Sequence, residues 1–93
     1  MERYMNAVKT NRLAVREYLA GGNPITELES VVLFGVTSLP DLLSVLRKEG
    51  WVFDSQRISY AKAIRRINKH ALLEPPAELP VRDLQLTEWW MMR

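Results

Sequence analysis

The sequence predicts a mainly α-helical domain with a small β wing: a three-helix helix-turn-helix domain followed by a C-terminal extension. Three features of the stretch ITELESVVLFGVTSLPDLLSVLRKEGWVF, residues 25–53, carry this expectation. Thr26-x-x-Glu29 and Ser38-x-x-Asp41 each have the spacing of a capping box, in which a hydroxyl and a carboxylate satisfy the free amides that open a helix. Gly35 stands between them and breaks the first of the two helices. Leu39, Leu42, Leu43 and Leu46 then recur at i, i+3, i+4 and i+7, one apolar stripe, and Gly50 stops it. Two helices joined by so short a turn form a helix-turn-helix.

The remaining elements follow in order. A first helix is expected from about Met5 or Asn11 to Ala20, with Val8, Asn11, Val15, Tyr18 and Leu19 on one face and Leu13 and Ala20 almost opposite. Gly21-Gly22 closes it. The second helix spans about 27–34, with Leu28, Val31 and Val32 turned inward. In the third helix Pro40 falls in the first turn, where its missing amide costs nothing, and Arg47-Lys48 sit at the end favoured for cations. Trp51-Val52-Phe53 and 57–60 read as extended pieces of a wing. Residues 61–68, AKAIRRIN, read either as a short basic helix or as a long basic turn, with Ala71-Leu72-Leu73 as a returning strand. The Glu74 to Pro80 stretch must be an extended connector, because proline and the residue before it disfavour helix. Leu84 and Leu86 at period two then suggest an edge strand over 81–87. The organisation expected is a domain over 1–73 and a connector and tail over 74–93.

Size and composition bound the function. The chain has 93 residues, 47% apolar and 26% charged, a globular balance with one domain's worth of length. With no cysteine and one histidine, His70, it lacks the converging groups of a hydrolytic triad or a metal site. His70 reads as a solvated or backbone-bonded residue. The expectation is a cytoplasmic protein that is not an enzyme, with no cofactor, metal, small-molecule substrate or membrane partner. No apolar run approaches the ~18 residues that span a bilayer, and MERYMNAVKTNRL does not read as a signal peptide.

The net charge of +2 is unevenly spread. Residues 24–56 hold Arg47 and Lys48 against Glu27, Glu29, Asp41, Glu49 and Asp54. Residues 57–73 hold Arg57, Lys62, Arg65, Arg66 and Lys69 and no acid. Such a run marks a solvated face or a polyanion contact.

Ile25-Thr26, Leu28-Glu29, Gly35-Val36-Thr37 and Leu46-Arg47-Lys48-Glu49-Gly50 resemble the small helix-turn-helix domains of many phage and prophage proteins. In those an Ile-Thr cap opens the second helix, Gly-Ile-Thr makes the turn and Leu-Arg-Lys-x-Gly closes the third helix. The resemblance covers residues 23–53, about a third of the chain. It implies a winged-helix DNA-binding domain in the transcription regulator of a mobile element. The chain departs from that pattern on the third helix, where Ser38 and Leu42 stand in place of arginines and Pro40 and Asp41 lie between them.

On this reading Ser38, Asp41, Ser44, Val45 and Lys48 face the bases of a major groove, with Thr37 and Arg47 near the phosphates. Arg57, Lys62, Arg65, Arg66 and Lys69 supply further phosphate contacts on double-stranded DNA. The competing expectation is the same fold used as a protein-interaction module, for a homodimer or a host protein. Trp89, Trp90, Met91 and Met92 are then its contact residues, since aromatics and methionine favour interface centres. Those four residues have an internal account as well, packing on the Leu13 and Ala20 edge of the first helix.

Overall fold

The computed structural model describes the backbone of residues 2–80 and 83–92 and the side chains of residues 11–80 and 83–92. The described residues form a mixed α/β domain of four helices and a small antiparallel sheet of three strands. Its elements run α1 (Glu2–Ala20), β1 (Ile25–Thr26), α2 (Glu27–Phe34), α3 (Leu39–Lys48), β2 (Phe53–Ser59), α4 (Tyr60–Ile67) and β3 (Gln85–Met91). The strand order is β1-β3-β2, so the last strand is central.

α1 begins earlier than its apolar pattern suggests and buries Val15 and Leu19 completely. Val8, expected on the same face, lies outside the described side chains. Gly22, at φ 86°, turns the chain after it. Thr26 then accepts from the Glu29 amide, and the Glu29 carboxylate accepts from the Thr26 amide at 3.1 Å, so the first capping box is complete. Gly35 closes α2 at φ 67°, a left-handed conformation that suits glycine.

α2 does not bury the face its apolar residues suggest. Val31 and Val32 are 45% and 38% exposed, while Glu29 and Ser30 are buried. The polar pair goes inward because it has partners there. The Ser30 hydroxyl donates to the Val36 carbonyl at 2.7 Å, and Glu29 holds Thr26 and Arg66.

The chain bends by 102° between α2 and α3. The leucine stripe of α3 is buried as expected, and Pro40 lies in its first turn. The second capping box does not form. Ser38 takes φ −121° and ψ 57°, which is not the extended backbone of a capping residue, and its hydroxyl makes no cap bond.

β2 is one continuous strand where two extended pieces were expected. Asp54, Ser55 and Gln56 between them pair with Trp90, Trp89 and Glu88 of β3. The basic stretch after it is a helix, α4, capped by the Ser59 hydroxyl, which accepts from the Lys62 amide at 3.1 Å. Ala71-Leu72-Leu73 is not a strand. The Ala71 amide donates back to the Ile67 carbonyl, Asn68 Oδ1 accepts from the Leu73 amide, and Leu72 is 85% exposed. His70 is exposed and its amide donates to the Ile67 carbonyl at 2.9 Å. The expected edge strand over 81–87 is instead a central strand starting at Gln85; Val81 and Arg82 lie outside the described residues.

Successive strand residues point to opposite faces. Ile25, Trp89 and Phe53 face one side, where they join Val15, Leu19, Val36, Leu39, Leu42, Leu43 and Leu46 in the main core. Thr26, Glu88, Gln56 and Ile58 face the other, and α4 packs there against α2, β2 and β3. Ile58, Ala63, Ile64 and Ile67 are buried on that side, outside the main core. The sheet therefore has α3 on one face and α4 on the other. Among the described residues no single helix is long and apolar enough to cross a membrane.

Candidate nucleic-acid interface

α3 buries Leu39, Leu42, Leu43 and Leu46, which leaves its opposite side to solvent. Thr37, Ser38, Asp41, Ser44, Val45, Arg47 and Lys48 are all exposed. They form one surface, at the second helix of a sharply bent pair. Two of these residues have internal roles. Arg47 lies over the Phe53 ring, 5.6 Å from its centroid, and Asp41 sits in the first turn, where an acid suits the helix dipole. Arg57 is exposed on β2 opposite Thr87, on the strand face that also carries Trp89 and Phe53.

The five bases of residues 57–69 do not form one patch. Lys62 and Arg65 are exposed on the outer side of α4, Lys69 is exposed in the turn that follows it, and none of the three is in an ion pair among the described residues. Arg57 is apart from them on β2. Arg66 is turned inward, which corrects its expected role as a phosphate contact. Its guanidinium donates to Glu29 of α2 and, at 2.6 Å, to Glu88 of β3. Its side chain is 20% exposed and those of the two carboxylates 1% and 4%.

Arg66 joins α4 to α2 and β3, and the network extends to β2 and β1. Gln56 Nε2 adds a bond to the second carboxyl oxygen of Glu88 at 2.5 Å, and the Thr26 hydroxyl donates to Glu29 at 3.0 Å. Burial opposes ionisation of Glu88, but the bonds from Gln56 and Arg66 outweigh it and hold the carboxyl below its usual range. Burial likewise opposes the charge on Arg66, and its two carboxylates raise its pKa regardless. The nearby Tyr18 phenol is pushed up by burial first and then by the Glu29 charge. Sequence reading missed this network. Its one local signal was Glu29 within the capping box.

Trp89, Trp90, Met91 and Met92 belong to the sheet region and not to a free tail. Trp89 packs on the main core, Trp90 and Met91 are half-buried in β3, and Met92 is 51% exposed. They do not sit on the Leu13 edge of α1. Leu13 is 57% exposed and lines, with Arg12, Arg16, Leu42, Val45, Leu46 and Glu49, a groove of about 270 Å³ between α1 and α3. Arg16 and Glu49 form an ion pair across it at 3.1 Å.

No protein-family model, curated protein or solved structure matches this chain. A functional reading rests on its own geometry.

Proposed function

We propose that the chain is a small DNA-binding regulatory protein of phage or prophage type, a winged-helix variant that presents α3 to a major groove. The observation that carries this reading is the α2–α3 pair. Its 102° bend falls within the ~90–120° typical of DNA-reading helix-turn-helix pairs. The inward positions of α3 are buried leucines, and the opposite side is exposed. The β1-β3-β2 sheet beside the pair supports it, with Arg57 available to a phosphate flanking the groove.

Ser38, Ser44 and Val45 then meet base edges, and Lys48 supplies charge. With so few cations on this surface, affinity is modest and base readout is carried by small side chains. A mobility-shift titration at low salt tests the reading. Wild-type protein binds duplex DNA, and Lys48→Ala with Arg57→Ala weakens binding several-fold. Absence of any duplex binding at low salt contradicts the proposal.

A second reading is favoured by the groove between α1 and α3. Leu13 and Val45 expose large apolar surface there, above Leu42 and Leu46, which suits the apolar face of a partner's helix. In that reading the fold is a protein-interaction module, and its contact site is this groove, with Trp89 kept for the core. A protein complex abolished by Leu13→Asp but not by Lys48→Ala would favour it.

A further inference from the structure

Resting on the α3 reading above, we infer that the outer side of α4 is a second, separate surface for duplex DNA, so that one copy of the chain bridges two duplex segments. Three observations carry this. The first is composition: Lys62, Arg65 and Lys69 are exposed, free of ion pairs among the described residues, and residues 57–73 hold no acid.

The second is placement. At 100° per residue Lys62 and Arg65 lie about 60° apart around α4, and Lys69 lies in the turn directly after the helix. The three cations match a phosphate backbone in sign. Contacts of these cations to phosphates are independent of sequence.

The third is direction. α3 packs through its leucines on the sheet face that carries Trp89 and Phe53, and its free side points away from the sheet. α4 packs through Ala63, Ile64 and Ile67 on the opposite face, and its exposed Lys62 and Arg65 lie on the side away from that packing. A straight duplex held by α3 does not pass under α4. Arg66 fixes this arrangement, because its bonds to Glu29 and Glu88 hold α4 to α2 and to the central strand.

The test is a bridging capture. A short duplex is fixed to beads, protein is added at low salt, and recovery of a second, fluorescent duplex is measured. Wild-type protein recovers the second duplex. Lys62→Glu, Arg65→Glu and Lys69→Glu together lower recovery by at least about tenfold, as loss of three phosphate contacts implies, while binding of the first duplex through α3 persists. Their melting curve in circular dichroism confirms that the variant is folded, and the milder Gln triple falls between it and wild type. Wild-type protein that binds the bead-held duplex yet recovers no second one overturns the inference and leaves the α3 reading standing. So does a triple variant that bridges as well as wild type, which would trace bridging to pairs of copies. Absence of any binding to the first duplex contradicts the α3 reading itself, and the inference falls with it.

Discussion

Arg66 on α4 and Glu88 on β3 meet at 2.6 Å, and the same guanidinium also holds Glu29 on α2. One side chain thus ties the helix inserted between β2 and β3 to two of the elements it packs on, α2 and β3. Removing it leaves two buried carboxylates unpaired, and breaking a buried pair from one side costs about 3 kcal/mol or more. Arg66→Met is expected to lower stability by roughly that amount in urea unfolding. A loss near that of an ordinary surface change, within ~0.5 kcal/mol, would mean the network does not hold α4.

Replacing all members together separates the pairing from the burial. Buried ion pairs exchanged for neutral groups of similar size are often neutral or stabilising. Arg66→Met combined with Glu29→Gln and Glu88→Gln is therefore expected to recover a large part of the single-variant loss. Strict additivity of the three changes in the same unfolding measurement would contradict the account.

Acid should act through Glu88. Its folded-state pKa lies below the unfolded value, because hydrogen bonds from Gln56 and Arg66 outweigh the opposing effect of burial. The stability it contributes is therefore present above the unfolded pKa of about 4.3 and is lost as pH falls through the lower, folded value. Thermal melts between neutral pH and the acid range should show a steep fall below that point in wild type. Glu88→Gln should start less stable and lose less on acidification; an equal acid slope would assign the effect to other carboxylates.

The two capping sequences should respond differently. Thr26 makes its cap bond and Ser38 does not. Thr26→Ala should cost about 1 kcal/mol, or ~4–8 °C in melting temperature for a domain of this size, while Ser38→Ala should change little. Equal losses would contradict the cap geometry.

These two sites mark what the sequence makes legible. The bounds of α2 and α3 follow from nearby signals: Thr26 with Glu29, Gly35, the leucine stripe and Gly50. The inward face of α2 was not legible, because Glu29 and Ser30 are buried by partners that lie elsewhere. Arg66 is 37 residues from Glu29, and no local pattern announces the pairing. The central place of β3 was hidden in the same way, since its partner β2 is separated from it by α4 and a proline-rich connector. Of the candidate interface, the α3 surface was readable from helical periodicity. The division of residues 57–69 into Arg57 on β2, an inward Arg66 and the exposed Lys62, Arg65 and Lys69 needed the fold.

Resonance perturbation in an amide-detected nuclear magnetic resonance titration with short duplex DNA tests the central claim most directly. The account predicts that at low salt and the first equivalents of DNA, shifts concentrate on Thr37 to Lys48 and reach Arg57. Shifts confined to α4, or none anywhere, would contradict α3 as the DNA-reading helix.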